Sequence, residues 1–243
     1  MQLIILAAGK SSRIFKNIKK NKCLIKIKKK TLIEKIIQES FSVFKKINVI
    51  TGYKSHLIRK HLNKFSNINI IHNKEYNNTD MLHSMILGLN QVNDDVVISY
   101  SDILVSNKIW KIFKKIKNED ILLPIKKNWK SVWKIRSKLY LDDAESLKVD
   151  KNKYLIEIGG KIKKNSRVDG QFMGLIYISK KMIKSINYLY KKYKLKNIQT
   201  TQFLNLLLEK NFIIKCRLTN LFWYEIDDIV DLKNLNKVKH NID

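Results

Sequence analysis

Short apolar runs alternate with stretches of helical period three times in about the first hundred residues, and this rhythm confines the chain to a doubly wound, mostly parallel α/β sheet. Residues 3–7 read as the first strand, followed by a helix over Thr31 to Ser42 whose Leu32, Ile33, Ile36 and Ile37 share one face. Ile47 to Thr51 is the next strand, Gly52-Tyr53 the turn after it, and Lys54 to Lys64 a second helix with Leu57, Ile58 and Leu62 inward. The strand Ile68 to His72, a helix over Met81 to Asn90 and a buried strand from Asp95 to Ser99 complete the series. Parallel strands need long crossovers, which these helices supply.

Beyond Asp102 the rhythm changes. A helix at Lys108 to Lys117 and a strand at Ile121 to Ile125 lead into a polar stretch from Lys126 to Arg167 that carries Trp129 and Trp133, with hairpin signals at Asp150-Lys151-Asn152 and Gly159-Gly160. The strand Gly174 to Ile178 returns to the core. Helices at Lys180 to Lys192 and Thr200 to Lys210, a strand at Ile213 to Arg217 and a helix at Ile229 to Lys237 follow. With 243 residues and 44% hydrophobic content, the chain suffices for one domain spanning residues 1–243.

The balance of 49 Lys+Arg against 21 Asp+Glu gives a net charge of +28, a field that attracts nucleotides, polynucleotides and acidic surfaces alike. The lysines are scattered through nearly every segment, so the charge does not mark a dedicated nucleic-acid stripe, although Lys16 to Lys30 and Lys111 to Lys117 form local runs. Cys23 and Cys216 lack the spacing of a zinc site or a disulfide framework, which fits a reducing cytoplasm. No apolar run approaches the ~20 residues of a membrane span, and the N-terminal one is too short for a signal-peptide core. A soluble, cytoplasmic protein is expected.

The first strand ends in Ala7-Ala8-Gly9-Lys10-Ser11-Ser12-Arg13. A residue without a β-carbon lets backbone N–H groups approach an anion, and Ser11, Ser12 and Arg13 add hydroxyl and guanidinium donors. The stretch is neither a P-loop nor a G-x-G-x-x-G turn, and an ordinary strand-to-helix connection is the alternative reading. Asp102 follows an apolar strand at the carboxyl edge where open sheets bind ligands, and suits either a hard divalent cation or a helix cap.

Leu6-Ala7-Ala8-Gly9 with Ser12-Arg13 and Lys22-Cys23-Leu24 resembles the signature loop of the nucleotidyltransferases that build NDP-activated compounds. The likeness continues in order through Gly52-Tyr53, Ser84, Asp102, Gly170-Gln171-Phe172-Met173-Gly174 and Glu225-Ile226-Asp227. Ser11 stands where a second glycine is common, Asn21 where proline usually precedes the lysine, and Ser101 where glycine usually precedes the aspartate. The resemblance implies a Rossmann-like, three-layer αβα fold with a small acceptor-binding β subregion. Residues of about 1–120 and 174–243 would form the nucleotide-binding core and 121–173 the acceptor-binding region.

The same resemblance implies that Leu6, Ala7, Ala8, Gly9, Ser11 and Ser12 wrap a triphosphate while Gly52, Tyr53 and Ser84 lie near the nucleotide. Lys22 and Arg13 would offset charge during transfer, and Asp102 and Asp227 would hold Mg2+. Asp228 reads as a helix N-cap, Glu225 as either assisting or exposed, and His83 as a partly exposed helix histidine. A homodimer is a family expectation.

Trp129, Trp133, Arg136, Asp142, Asp143, Glu145 and Gln171 resemble the acceptor side of cytidylyltransferases acting on phosphocholine and on 2-aminoethylphosphonate. An acceptor that is anionic at one end and cationic at the other calls for a guanidinium at one pole and an aromatic face or carboxylate at the other. Each tryptophan taken alone is more often a packing residue, and it is their joint appearance with Arg136 in a polar segment that gives the acceptor reading equal weight. The implied function is Mg2+-dependent transfer of CMP from CTP to a small phosphonate or phosphoamine, releasing pyrophosphate. A sugar-1-phosphate nucleotidylyltransferase using UTP or dTTP shares the nucleotide-side motifs, and a basic nucleic-acid-binding module on the same fold is the reading from another class.

Overall fold

From Leu3 onward every residue of β1 (Gln2–Ala7) is buried, with Leu3, Ile5 and Ala7 in one apolar cluster and Ile4 and Leu6 in the other. A strand covered on both faces has no polar side to show, which is why it reads as an unbroken apolar run. The computed structural model describes residues 1–10, 21–136, 140–163 and 166–235. Ser11, Ser12 and Arg13 lie outside the described residues, as does the side chain of Asp142.

After β1 the chain forms a small hairpin, β2 (Lys26–Ile27) and β3 (Lys30–Thr31), and then α1 (Leu32–Ser40). Thr31 and Glu34 close a capping box at the start of α1, satisfying backbone donors that the first turn leaves unpaired. The series continues through β4 (Ile47–Thr51), α2 (Ser55–Leu62), β5 (Ile68–His72), α3 (Met81–Leu89) and β6 (Val96–Tyr100). Next come β7 (Ile103–Val105), α4 (Asn107–Phe113), β8 (Ile121–Lys126), α5 (Trp129–Arg136) and α6 (Tyr140–Asp143). The strands β9 (Glu145–Val149), β10 (Leu155–Lys161), β11 (Gln171–Phe172) and β12 (Leu175–Ile178) precede α7 (Lys180–Lys192) and α8 (Thr200–Glu209). β13 (Lys215–Thr219), β14 (Trp223–Glu225) and α9 (Ile229–Asn234) close the described chain.

The main sheet runs β5-β4-β1-β6 in parallel, with Leu3 opposite both Ile47 and Val97. β12 then pairs antiparallel with β6 and β8, β11 continues along β8, and β13 lies parallel to β8. Helices α1, α2, α4 and α5 contribute to the apolar cluster on one face, and α3, α7 and α8 to that on the other. The architecture is therefore the three-layer αβα sandwich expected. β8 and β11, although within 121–173, are strands of this main sheet.

Two expectations change. Gly159-Gly160 does not turn the chain but lies inside β10, at a register irregularity against β9. Gly159 has φ +81, and a β-carbon there would meet Thr201 at 2.9 Å, so the pair marks a close approach of α8. His83 is buried, not partly exposed, with its Nδ1 on the Tyr190 hydroxyl.

Candidate active site

The parallel strands β1, β4 and β6 end at one edge of the sheet, and Asp102 lies two residues past β6. From Asp102 the chain continues into β7, which pairs antiparallel with β14 so that Ile103 faces Glu225 and Val105 faces Trp223. Ile226 N–H donates to the Asp102 carbonyl at 3.0 Å. This short ladder draws Asp102, Glu225 and Asp227 together, and one carboxylate oxygen from each lies within 4.8 Å of the others.

Lys22 completes the group from the N-terminal side. Its Nζ donates to Asp102 Oδ2 at 2.8 Å and to Asp227 Oδ1 at 2.7 Å. The backbone behind it is tied to the sheet edge: Asn21 Nδ2 donates to the Tyr53 carbonyl at 2.7 Å, and Tyr53 N–H to the Ala8 carbonyl at 3.0 Å. Gly52 permits that approach, because a β-carbon there would sit 2.6 Å from both the Ala8 oxygen and the Tyr76 Cβ. Asn21 thus links the Lys22 turn to the Gly52-Tyr53 turn.

Burial disfavours charge on Lys22, but Asp102 and Asp227 outweigh it and raise its pKa. Glu225 behaves oppositely. Burial lifts its carboxyl well above the usual range, Asp227 and Asp102 lift it further, and Arg136 and Lys22 pull against them. Cys23, beside Lys22, is pushed up to about 12 by burial and by the charge of Asp102, so it is an inert thiol. Glu225 is accordingly a member of the acidic cluster and not an exposed bystander.

Arg136 stands on the core side of this cluster. Its Nη2 donates to Asp227 Oδ2 at 2.8 Å and its Nε to Asp231 Oδ1 at 3.1 Å, while Nη1 lies 3.6 Å from both Glu225 and Asp143. The guanidinium rests over the Trp133 ring at 5.0 Å, and Trp133 stacks on Trp223 with ring centroids 5.2 Å apart. Asp231 is buried and also accepts from Asp227 N–H at 2.7 Å while forming the α9 capping box with Asp228. Asp228 is the N-cap of α9, as its place before an apolar run suggests.

The donor set fits a hard divalent cation: three carboxylates converge, and the buried Oδ1 of Asp102 has no hydrogen-bond partner among the described residues. Next to these acids opens a cleft of about 410 Å3 that Asp102, Glu225 and Asp227 line together with Tyr100, Trp133 and Asp143. Glu145, Gln171, Phe172 and the first residues of α8, Thr200 and Thr201, also line it. Burial raises the Glu145 carboxyl, Asp143 adds to the rise, and a Thr201 hydrogen bond opposes it.

Of the expected acceptor residues, Trp133, Asp143, Glu145 and Gln171 line the cleft, whereas Trp129 is buried edge-on against Trp133 and the Arg136 guanidinium is turned to protein carboxylates. The Gln171 amide is bonded to the backbone of Glu145, which pins the start of β9. On the other side Leu6, Ala7 and Ala8 are buried, Gly9 is exposed, and the Ser84 hydroxyl accepts from Asn73 Nδ2 at 3.1 Å. Sequence reasoning missed Asp231 and the α8 residues Thr200 and Thr201. The spacing of Asp228 and Asp231 carries a capping-box signal that points to the first of these.

A mostly parallel αβα sheet with three carboxylates and a lysine gathered at the carboxyl edge of its strands defines a nucleotidyltransferase-type enzyme. The chain belongs to the family of MobA-like NTP transferase domains, whose model matches residues 3–201. It is 30% identical over 251 residues to the CTP:phosphoglutamine cytidylyltransferase of Campylobacter jejuni, covering 96% of this chain and 98% of that one. Among solved structures, the inositol-1-phosphate CTP transferase from T. maritima matches with a TM-score of 0.78 at 20% identity, covering 100% of this chain and 97% of that chain. The CTP:phosphocholine cytidylyltransferase from Streptococcus pneumoniae matches with a TM-score of 0.68 at 16% identity, covering 98% of each. At such identities the solved structures speak to the fold. No helix among the described residues is long and apolar enough to cross a membrane.

Proposed function

We propose that the chain is a Mg2+-dependent cytidylyltransferase that moves CMP from CTP onto a phosphate or phosphonate oxygen of a small amine-bearing acceptor, releasing pyrophosphate. The observation that carries this reading is the convergence of Asp102, Glu225 and Asp227 around Lys22 at the sheet edge. CTP as donor is supported by the C. jejuni relative, whose name contains CTP:phosphoglutamine. In this reading Asp102 and Asp227 hold the ion, with Glu225 beside them. When bound, the ion neutralises phosphate charge and orients the triphosphate.

The protein's own groups do the positioning on which phosphoryl transfer depends. Lys22, tied to the Gly52-Tyr53 turn through Asn21, offsets negative charge on the triphosphate, and Ser11, Ser12 and Arg13 serve the same end. Gly52, Tyr53 and Ser84 stand on the nucleotide side. The segment 121–173 supplies the acceptor wall: Trp133, Asp143 and Glu145 face the cleft, and a cationic acceptor end would relieve the burial and repulsion that raise the Glu145 carboxyl. The buried free thiols of Cys23 and Cys216 fit a reducing cytoplasm.

The test is pyrophosphate release from CTP and Mg2+ with a panel of phosphonates, phosphoamines and amino-acid phosphates. Release with at least one amine-bearing acceptor is expected, and none with any acceptor from folded protein overturns the reading. Stabilisation of the fold by UTP or dTTP but not by CTP would transfer it to the sugar-1-phosphate enzymes.

A further inference from the structure

Lys22 occupies an unusual position for a phosphate-binding lysine. Its ammonium lies between the carboxylates of Asp102 and Asp227, at 2.8 and 2.7 Å, two of the three acids that would ligate a divalent ion. Its side chain is 12% exposed, so the contact is not a loose surface pair. Both oxygens of Asp227 meet a cation, Oδ1 the Lys22 ammonium and Oδ2 the Arg136 guanidinium. An ion on Asp102 Oδ1, unpartnered among the described residues, would lie close to the ammonium held on Oδ2 of the same carboxylate, and two cations so near repel each other.

We propose that Lys22 is the resident counter-cation of the metal site, excluding free divalent ions until the phosphates of a bound nucleotide draw its ammonium away. The proposal rests on the nucleotidyltransferase reading above. With Lys22 in place the acids are compensated and stable without an ion, and Asp102 and Asp227 accept one only when Lys22 has another anion to neutralise. The lysine then makes metal and nucleotide binding mutually dependent, and linkage requires the dependence to run equally in both directions.

Mn2+ binding to the intact protein without nucleotide, read by electron paramagnetic resonance or calorimetry, tests this directly. The wild type should bind the ion weakly, and Lys22→Met should bind it about tenfold or more tightly, within the usual range of coupling between two sites. Lys22→Arg, which keeps a cation in place, should remain weak. If Lys22→Met fails to fold, the wild type alone decides. Crystals grown with Mg2+ and no nucleotide should show the ammonium still between Asp102 and Asp227, and crystals with Mg2+ and an unreactive CTP analogue should show the ion there and Nζ on a phosphate oxygen. Equal Mn2+ affinity in wild type and Lys22→Met, or an ion between the two acids with Nζ unmoved, overturns the proposal while leaving cytidylyl transfer untouched. An affinity difference in a protein that turns over no CTP would uphold the counter-cation role and overturn the choice of nucleotide.

Discussion

Replacing Arg136 with methionine leaves an apolar stem to cover Trp133 but strips the charge from a side chain that is 3% exposed. The guanidinium makes three short contacts, 2.8 Å to Asp227 and 3.1 and 3.3 Å to Asp231, and stands 3.6 Å from Glu225 and Asp143. Removing one partner of a buried pair strands the others, which costs about 3–5 kcal/mol. Such a loss takes a large share of a domain's typical ~5–15 kcal/mol and shifts melting by roughly 6–20 °C at this chain length. Urea unfolding followed by tryptophan fluorescence measures it, since Trp133 lies directly beneath the guanidinium. The double variant Arg136→Met with Asp231→Asn should lose at least ~1 kcal/mol less than the sum of the single changes. An Arg136→Met protein within 1 kcal/mol of wild type, on the order of a surface pair, would refute the buried-network argument. Arg136→Lys separates structure from acceptor contact: the charge survives but the planar fork does not. Turnover should fall with little change in acceptor KM, and a rise confined to acceptor KM would return Arg136 to the cleft.

Asp102→Asn should reduce pyrophosphate release by about 10²–10³ while the melting temperature stays within a few degrees, and near-normal turnover would remove Asp102 from the chemistry. Glu145→Gln should raise the acceptor KM and leave the CTP KM unchanged in initial-rate assays, whereas an effect on CTP alone would misplace the acceptor wall. Acid stability has a separate source at Glu34. Burial works to raise its pKa, but hydrogen bonds from Lys64 and Thr31 and the charge of His61 bring it down to about 2. A folded pKa below the unfolded value gives stability that is present above about pH 4.5 and lost as pH falls from there toward 2. Glu34→Gln should therefore flatten stability across that window by on the order of 2 kcal/mol, discounted for the exposed Lys64 ammonium; an unchanged acid limb in urea melts at several pH values would contradict it.

Periodicity made the fold legible wherever an element is long enough to repeat. β4, β5 and α7 fall on the bounds read from Ile47 to Thr51, Ile68 to His72 and Lys180 to Lys192, because each is an unbroken pattern bounded by turn or capping residues. The glycine pair at 159–160 misled because a glycine inside a strand and one in a turn look alike until the neighbour, here Thr201, is known. The site was legible as residue types and not as geometry. Asp102 and Asp227 were nameable from their motifs, but their meeting depends on β7 and β14, three residues each and too short to show a period. Arg136 sits next to an acidic run, Asp142 to Glu145, yet its short contacts are with Asp227 and Asp231 on the far C-terminal segment. No local spacing encodes a partner that arrives through tertiary pairing.

The acidic site stands out against the basic composition of the chain. A chain of net +28 attracts anions from every direction, so a polyanionic nucleotide gains from the field of the whole molecule. Against that background Asp102, Asp143, Glu225, Asp227 and Asp231 gather five carboxylates around Lys22 and Arg136, an excess of negative charge in the one place where a strongly basic protein would be least expected to concentrate it. Self-repulsion in such a cluster is tolerable only if cations are held on both sides, and the two serve differently. Arg136, buried and forked between Asp227 and Asp231, is bound into the core and sets where the acids point. Lys22, a compact ammonium on a flexible stem, suits the displacement proposed above. Anchoring the acids with an arginine and compensating them with a lysine keeps the cluster assembled while leaving one of its cations replaceable, which is what the proposed alternation between an empty and a metal-nucleotide state requires.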